Sequence, residues 1–350
     1  MAEEVYIRLR EFMDQLPAGY PSTPTGVELR ILKKLFRPDE AELLMKLKKE
    51  PEDISDIARR TGIDETELAR RLEEMAMKGL IFRLRHGEKR FYVPSQFIAG
   101  MYEFQLNRLD REFCELFEEY LPYIGMSLAA NTQQMRVIPL QSSLKSNTNV
   151  APYNKVREII QNQELITVTQ CICKKEQGIM GNPCEKPQEV CLMFGNFAQF
   201  YLDNNMARRI TKEEALKVLD LAEENGLVLS PSNTQHLEAI CCCCTCCCPF
   251  VKGLKMIPSP AEIVQNNYRS TIDTDLCTGC EECIGICPME AIKAEDGLAQ
   301  VMEQRCIGCG LCVPACPAEA ISMKERKDKG APPETFADTL SRIATERGVQ

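Results

Sequence analysis

Two four-cysteine runs near the carboxyl end restrict this 350-residue chain more than any other feature. Each run has the spacing C-x2-C-x2-C-x3-C-P; the first contains Cys277, Cys280, Cys283 and Cys287, and the second contains Cys306, Cys309, Cys312 and Cys316. A cubane iron–sulfur cluster takes three thiolates from one tight loop and a fourth from a remote segment, which in two-cluster proteins belongs to the other run. One [4Fe–4S] cluster is therefore assigned to Cys277, Cys280, Cys283 and Cys316. The second is assigned to Cys306, Cys309, Cys312 and Cys287.

The segment around the two runs has further features of such a module. Gly279 and Gly308 precede the second cysteine of each run, where the absence of a Cβ lets the backbone approach a cluster. Asp296-Gly297 between the runs predicts a hairpin turn. A zinc site or a disulfide framework is disfavoured because two complete copies of the motif are present. The segment from Ser270 to Met323 resembles the bacterial two-[4Fe–4S] ferredoxins, which implies transfer of single electrons at low potential.

The cysteine content and the net charge indicate the cellular compartment of the protein and the kinds of partner it is expected to bind. The chain has 20 cysteines and a net charge of −9, and its start lacks the basic and apolar segments of a secretory signal. Thiols at this density without such a signal indicate a reducing compartment in which thiolates hold metal. No stretch approaches the ~20 apolar residues of a membrane span. We expect a cytoplasmic protein with no membrane span, and the negative charge disfavours general nucleic-acid binding.

Residues 26–98, which follow a helix and linker over residues 1–25, have the pattern of a winged helix-turn-helix domain. Four helices are predicted, over residues 27–36, 39–49, 54–62 and 65–78. The last is capped by Asp64, and its inner face is expected to carry Leu68, Leu72, Met75 and Met77. Two strands after Gly79 form a wing. The stretch resembles the DNA-binding domain of winged-helix regulators, which implies a regulatory role.

The charges of this domain argue against DNA as its partner. The N-terminal residues of the second helix of a helix-turn-helix reach base edges, and here they include Asp64, Glu65 and Glu67. These carboxylates would face phosphates. The wing carries the basic residues Arg83, Arg85, Lys89 and Arg90, so a phosphate contact stays open. We favour a protein-docking or scaffold role, because a fold alone does not fix a function.

Residues 99–150 connect this domain to the next one. Apolar residues at spacings of three and four predict a helix over Tyr102–Leu121. Residues 131–149 are polar and predict a linker. Cys114 has no cysteine neighbours in the sequence and is expected to be a buried apolar residue.

Residues 151–265 contain a second set of cysteines. The run from Leu165 to Cys173 has the β-branched content of a strand, in which Cys171 and Cys173 would share a face. Cys184 and Cys191 follow across a loop. Four thiolates at C-x-C-x10-C-x6-C suit a third iron–sulfur cluster or a tetrahedral zinc. We favour iron–sulfur, because the chain already needs cluster assembly.

A run of seven cysteines in eight residues follows. The run extends from Cys241 to Cys248 and is interrupted only by Thr245. A helical run would place Cys241, Cys244 and Cys248 on one stripe, whereas an extended run would divide the thiols differently. Neighbouring side chains diverge, so the seven cannot all bind one cubane. The thiols of this run that do not bind a cubane are spare, or they belong to a larger or non-cubane cluster together with the Cys171–Cys191 set.

The stretch from Cys171 to Cys316 resembles a family of anaerobe proteins that couple a C-x-C region, a cysteine-dense run and a ferredoxin module. Members of this family have a residue other than cysteine at the position of Cys242, which implies that Cys242 is not a ligand. The resemblance leaves six candidate metal ligands in the run: Cys241, Cys243, Cys244, Cys246, Cys247 and Cys248. They resemble electron-transfer components.

We therefore predict an α+β multidomain protein. It has a winged helix over residues 26–98, a cysteine-rich α/β middle domain over 151–265, a ferredoxin-like 2[4Fe–4S] module over 266–325 and a tail helix over 326–350. The tail shows Phe336, Leu340 and Ile343 at helical spacing and is expected to dock on the body or on a partner.

The leading hypothesis for function is an electron-transfer subunit that serves a partner oxidoreductase. The chain has no dinucleotide fingerprint, P-loop or flavin motif, so the substrate chemistry is expected on another chain. One alternative is a redox-sensing transcription regulator, and another is a reductase that uses the cysteine-dense site itself.

The interleaved pairing predicts a crossed effect of one substitution. Cys316→Ala should perturb the cluster assigned to Cys277, Cys280 and Cys283, although Cys316 belongs to the other run. Low-temperature EPR of the reduced variant reports this change. Loss of the second cluster's signal alone would contradict the pairing.

Overall fold

The computed structural model describes residues 3–144 and 150–349. The end of the predicted linker, residues 145–149, lies outside the described residues.

Residues 3–94 form helices around a small sheet. The elements are α1 (Glu4–Asp14), α2 (Val27–Leu35), α3 (Pro38–Leu44), β1 (Glu52–Asp53), α4 (Ile54–Thr61), α5 (Glu65–Met77), β2 (Ile81–His86) and β3 (Lys89–Pro94). The strands pair antiparallel in the order β1-β3-β2. Asp64 caps α5 by accepting the N–H groups of Thr66 and Glu67, both at 3.0 Å. Four helices and the two-stranded wing are present as predicted, except that the helix expected over residues 39–49 ends at Leu44. The winged-helix assignment itself stays a prediction.

The inner face of α5 differs from the prediction at one position. Leu68, Leu72, Met75 and Ala76 are buried, whereas Met77 is 43% exposed. Met77 follows Leu68 by nine residues, and at about 100° per residue this rotation places the two on opposite sides of the helix.

The helix predicted over Tyr102–Leu121 is wrong at both ends. A π turn (Phe97–Met101) and a 3-10 turn (Glu103–Gln105) come first, and α6 runs over Arg111–Ala129. Asp110 starts this helix because its side chain accepts the N–H of Phe113 at 2.8 Å. The apolar spacing continues across the turns, so periodicity alone does not show where the helix begins.

The middle region is a five-stranded antiparallel sheet with helices around it. Its elements are α7 (Val156–Gln161), β4 (Ile166–Gln170), α8 (Ile172–Ile179), β5 (Glu189–Phe194), α9 (Gly195–Asp203), β6 (Arg208–Arg209), α10 (Lys212–Glu224), β7 (Val228–Pro231), β8 (Ala239–Cys243), α11 (Pro249–Met256) and α12 (Pro260–Ile263). The strand order is β6-β4-β5-β8-β7.

The structure corrects one local prediction for this region and decides between two alternatives for another. The strand expected to reach Cys173 ends at Gln170, and Cys173 lies in the first turn of α8. The cysteine-dense run is not helical: Cys241 to Cys243 belong to β8, and Cys248 directly precedes α11. Pairing with β5 and β7 on both sides holds β8 extended.

The carboxyl-terminal module consists of two strand pairs. Its elements are β9 (Tyr268–Ile272), α13 (Glu282–Ile286), β10 (Ile292–Glu295), β11 (Leu298–Val301) and β12 (Ile321–Glu325), followed by the tail helix α14 (Phe336–Arg347). β10 and β11 form the hairpin predicted at Asp296-Gly297, where both residues have positive φ angles of 50° and 80°. β12 returns antiparallel to β9, from Ile321↔Ile272 onward.

The tail helix docks on the body, which was one of its two predicted positions. The Phe336 ring lies 5.9 Å from the Phe197 ring in an edge-on contact. The Arg347 guanidinium donates to the Leu16 carbonyl at 2.7 Å and pairs with Asp14 at 3.1 Å. α14 therefore connects the middle region to the start of the chain. In the described parts of the chain, no helix combines the length and apolar character that a membrane crossing requires.

The wing packs against the middle region through aromatic rings and a buried arginine. The Phe82 ring lies 4.9 Å from Phe197 and 4.8 Å from Phe200. The Arg83 side chain is fully buried and pairs with Glu73 and, at 3.0 Å, with Asp203 of α9. Two carboxylates from different elements thus share one buried guanidinium.

Removal of the Arg83 charge should destabilise the protein. Arg83→Met leaves the partly buried carboxylates of Glu73 and Asp203 without this cation, which we expect to lower the unfolding free energy by about 3 kcal/mol. Urea unfolding followed by circular dichroism measures the change. The exposed Lys89→Met on the same wing is the control and should stay within about 0.5 kcal/mol of wild type. Equal effects of the two substitutions would contradict the interpretation.

Candidate metal centres

Two cavities in the carboxyl-terminal module are each lined by four cysteines. One cavity contains Cys277, Cys280, Cys283 and Cys316. The other contains Cys287, Cys306, Cys309 and Cys312. Cys316 thus lies with the first three cysteines of the first run, and Cys287 lies with the first three cysteines of the second run. These are the two combinations that the interleaved pairing predicts.

Two glycines shape the backbone beside these cavities. Gly279 and Gly308 have φ angles of 70° and 71°. A Cβ on Gly279 would lie 2.3 Å from the Gly297 carbonyl oxygen, and one on Gly308 would lie 2.2 Å from the Tyr268 oxygen. Other residues cannot occupy these positions without a shift of the backbone.

Polar groups point at the sulfurs of the second cavity. The backbone N–H of Ser270 donates to the Cys306 sulfur at 3.4 Å, and that of Ala291 donates to the Cys287 sulfur at 3.2 Å. The Ser270 hydroxyl lies 3.1 Å from the Cys312 sulfur. Hydrogen bonds to sulfur stabilise its negative charge and influence the reduction potential of a cluster held there. The cavities therefore fit the clusters that their cysteines suggest.

The two cavities differ in exposure. Most of residues 273–282 around the first cavity are exposed, including Cys280 and the carboxylates of Asp275, Glu281 and Glu282. Leu276 is 53% exposed. Residues 306–312 at the second cavity are all buried. The first cavity therefore lies at an acidic surface, and the second lies inside the protein.

Hydrogen bonds attach the second cavity to the middle region. The N–H of Leu140 donates to the Cys309 carbonyl at 3.1 Å, and the N–H of Ile138 donates to Leu229 of β7 at 3.2 Å. The Arg305 guanidinium donates to the carbonyl oxygen of Lys255 in α11 at 3.1 Å. Since Cys248 directly precedes α11, this helix connects the cysteine-dense run to the second cavity.

Six thiols of the middle region form a closed ring. Each contacts two others, in the order Cys171, Cys173, Cys248, Cys243, Cys241, Cys191 and back to Cys171. The antiparallel pairing of β5 with β8 places Cys191 opposite Cys241. Cys241 and Cys243 share a face of β8 because side chains alternate along a strand. We call this group the six-thiol ring.

The pKa values alternate around the six-thiol ring. Hydrogen bonds from the neighbouring thiols lower the pKa of Cys171, Cys241 and Cys248, that of Cys241 to about 6. The same contacts raise the pKa of the three thiols that donate, which are Cys173, Cys191 and Cys243. Backbone amides at the starts of α8 and α11 add to the lowering at Cys171 and Cys248. The ring thus favours thiolate at alternate positions, which is the form that binds metal.

Four more thiols form a separate group. Cys184, Cys244, Cys246 and Cys247 have sulfurs that all lie within 4.8 Å of one another. Cys184 comes from the loop between α8 and β5, and the other three come from the turn between β8 and α11. We call this group the four-thiol site. Burial opposes the ionisation of Cys246, but hydrogen bonds from its three neighbours outweigh burial and lower its pKa.

The grouping of these thiols differs from the sequence prediction. Cys184 was grouped with Cys171, Cys173 and Cys191, but it lies with the turn cysteines instead. Two cysteines belong to neither group. Cys242 is buried on the opposite face of β8 from Cys241 and Cys243, and burial raises its pKa. Cys114 is buried in α6, as expected, and burial raises its pKa to about 12.

Buried polar side chains lie beside the six-thiol ring. Lys174 is 2% exposed, and its ammonium group donates to the Pro187 carbonyl. Glu176, one turn past Cys173, accepts the Tyr102 hydroxyl at 2.6 Å. Burial raises the pKa of Glu176 to about 7. The folded state therefore binds this proton more tightly than the unfolded state, and its contribution to stability falls as the pH rises towards 7.

Some of these positions were missed by sequence reasoning. Nothing in the sequence marks Ser270 or Lys174, because their roles depend on neighbours far away along the chain. The facing pair Cys241 and Cys243 had a signal: Ala239–Cys243 continues the apolar, strand-like pattern, and an alternating strand separates Cys242 from its neighbours. The position of Cys184 had none, since a loop can direct it to either group.

Comparisons with known proteins concern the carboxyl-terminal module. Family models for 4Fe-4S dicluster domains match residues 270–323 and 305–343. Ferredoxin-3 of Desulfocurvibacter africanus is 53% identical over 32 residues, and Ferredoxin-1 of Nitratidesulfovibrio vulgaris (strain DSM 19637 / Miyazaki F) is 48% identical over 32 residues. Each match covers 9% of this chain and 52% of the relative, so the chain spans about half the length of the curated relatives it matches. The predicted ferredoxin-like 4Fe–4S module is confirmed, and neither family model reaches residues 1–269.

If the six-thiol ring holds an iron–sulfur cluster, a double cysteine variant should lose iron. Cys171→Ala with Cys173→Ala should lower the iron content by about one cluster and leave the EPR signals of the ferredoxin module intact, because the module has its own eight thiols. Iron counting on anaerobically purified protein tests this. Cys114→Ala is the matched control and should keep all iron. An unchanged count, together with no metal beyond the roughly 8 iron atoms of two [4Fe–4S] clusters in wild type, would contradict a cofactor at the ring.

Proposed function

We propose that this chain, an iron–sulfur electron-transfer protein by its ferredoxin-like module, passes electrons between an external redox partner and a third metal cluster in the six-thiol ring. The [4Fe–4S] clusters supply one-electron chemistry when bound. The observation that carries the proposal is the opposite exposure of the two ferredoxin cavities. One opens to an acidic surface, and the other faces the thiol-rich middle region.

The exposed side suits a redox partner with a basic face. Asp275, Glu281 and Glu282 surround the first cavity, and Leu276 adds an exposed apolar contact. Charged rims of this kind steer a partner of opposite charge and raise the association rate. The partner is proposed to be an oxidoreductase, alone or as part of a larger complex.

The interior side offers a short connection to the six-thiol ring. α11 begins after Cys248 of the ring, and its eight residues span about 12 Å. Lys255 near its other end accepts a hydrogen bond from Arg305, the residue before Cys306. The second cavity and the ring thus lie near opposite ends of one short helix, a separation suited to electron tunnelling.

The ring suits a soft, polynuclear metal cluster. Six sulfur donors converge there, and thiolate ligands select iron–sulfur clusters or other soft metals. Four of the six, Cys171, Cys191, Cys243 and Cys248, are less than a tenth exposed. This burial favours electron transfer over a direct reaction with a substrate, so we place the reductase hypothesis second.

The amino-terminal domain is proposed to dock a protein and not DNA. Arg83 is buried, Arg85 pairs with Asp203 at 2.8 Å, and Arg90 pairs with Glu73 at 3.2 Å. The buried Arg83 and the exposed Arg85 and Arg90 are therefore all paired with carboxylates of the protein, and Asp64, Glu65 and Glu67 remain at the exposed start of α5. The reducing cytoplasm is the proposed compartment, because free thiols at this density oxidise elsewhere.

Charge reversal at the acidic rim tests the route. The combined variant Asp275→Lys, Glu281→Lys and Glu282→Lys should slow electron transfer to cytochrome c, a basic acceptor, by about tenfold at low salt. It should also weaken the salt dependence of the rate. Stopped-flow mixing of the reduced full-length protein with oxidised cytochrome c measures both.

A matched variant controls for net charge. Glu50→Lys, Glu65→Lys and Glu224→Lys change the net charge by the same amount at exposed positions outside the ferredoxin module, and this protein should keep nearly the wild-type rate. Equal slowing of the two triple variants, or no slowing of the first, would refute electron exchange at this surface.

A further inference from the structure

The four-thiol site is tighter than the groups of thiols in the ferredoxin module. The Cys184 sulfur lies 3.5 Å from that of Cys246 and 3.9 Å from that of Cys244, and the sulfurs of Cys246 and Cys247 are 3.6 Å apart. Among the described residues, neither ferredoxin set has all its sulfurs within 4.8 Å of one another, whereas the four-thiol site does.

These distances match a single tetrahedral ion. A zinc ion bound by four thiolates at about 2.3 Å separates the sulfurs by roughly 3.8 Å, the edge of the tetrahedron. A cubane binds its thiolates to four different irons and needs the sulfurs farther apart. The ferredoxin cavities provide the internal comparison: their cysteines surround open space, while those of the four-thiol site converge on one point.

The site shares no sulfur with the six-thiol ring. Cys243 and Cys248 belong to the ring, and the three turn cysteines of the four-thiol site lie between them in sequence. The cysteine-dense run is therefore divided between two sites, with the flanking Cys243 and Cys248 in the ring and the turn between them in the four-thiol site. Cys184 completes the second site from the loop before β5.

We infer that Cys184, Cys244, Cys246 and Cys247 bind one metal ion in tetrahedral geometry, separate from the iron–sulfur clusters. Zinc and iron both accept four thiolates in this geometry, and the experiment distinguishes them. The ion clamps the loop before β5 onto the turn before α11. It also compensates the charge of thiolates that otherwise repel one another.

Metal analysis of the wild-type protein is the first test. Full-length protein purified without oxygen should contain one ion per chain beyond its cluster iron. X-ray absorption at the zinc edge should show four sulfur neighbours at about 2.3 Å and no metal neighbour. Iron in this site would instead give a high-spin Fe(III) EPR signal from one iron per chain after oxidation.

Two single variants locate the ion. Cys184→Ser and Cys246→Ser should each remove one ion per chain, zinc or iron, and leave the EPR signals of the ferredoxin module unchanged. Cys246 is exposed and Cys184 lies in a loop, so both variants should fold. Cys114→Ala, at a cysteine outside both groups, should lose no metal.

Three results would overturn the inference. They are loss of about four iron atoms from either variant, unchanged metal content in both variants, and a Cys184–Cys246 disulfide in the anaerobically purified protein. The metal counts are independent of the cytochrome c kinetics, so the single-ion site and the proposed electron route can fail separately.

Discussion

Thiolate sulfurs packed side by side in a protein interior repel one another and lose hydration, and the middle of this protein depends on how that repulsion is relieved. Hydrogen bonds among the six ring thiols relieve part of it, as the alternating pKa values show. Bound metal ions would relieve it further, because metal binds the ionised sulfur. The strands β5 and β8 and the helices α8 and α11 hold these sulfurs close together. Metal binding at these thiols would therefore be coupled to the fold of residues 165–256.

Contacts between the regions make the centres part of one body. Buried residues from α1 to the second ferredoxin cavity belong to a continuous hydrophobic core. The Arg83 ion pairs hold the wing on α9, and Arg347 holds the tail on the amino-terminal segment. The hydrogen bond from Arg305 to the Lys255 carbonyl joins the second cavity to α11, which begins directly after Cys248 of the six-thiol ring. Electron transfer depends steeply on distance, so a rigid connection suits the proposed route.

The sequence predicted the carboxyl-terminal module almost completely. The cysteine spacing, the two glycines beside the second cysteines and the Asp296-Gly297 turn are local signals, and local geometry decides the conformation of tight loops. The capping residue Asp64 likewise marked the start of α5. The prediction is wrong where apolar spacing is the only signal, as in the helix expected from Tyr102. The helical alternative for the cysteine-dense run is also wrong, because β5 and β7 hold β8 extended.

By itself, the sequence determined the cysteine content and spacing from which the metal sites and the ferredoxin pairing are predicted, because ligand type and short spacing are properties of the chain. Only the tertiary structure decided which thiols of the middle region meet. Cys184 joins Cys246 and not Cys171, since the strand pairing brings β8 beside β5 and directs the following turn towards the loop. The structure also decided that Arg83 of the wing is buried against α9 and that one ferredoxin cavity is exposed while the other is buried. Each of these outcomes depends on contacts between segments far apart in sequence, for which a single sequence contains no local signal.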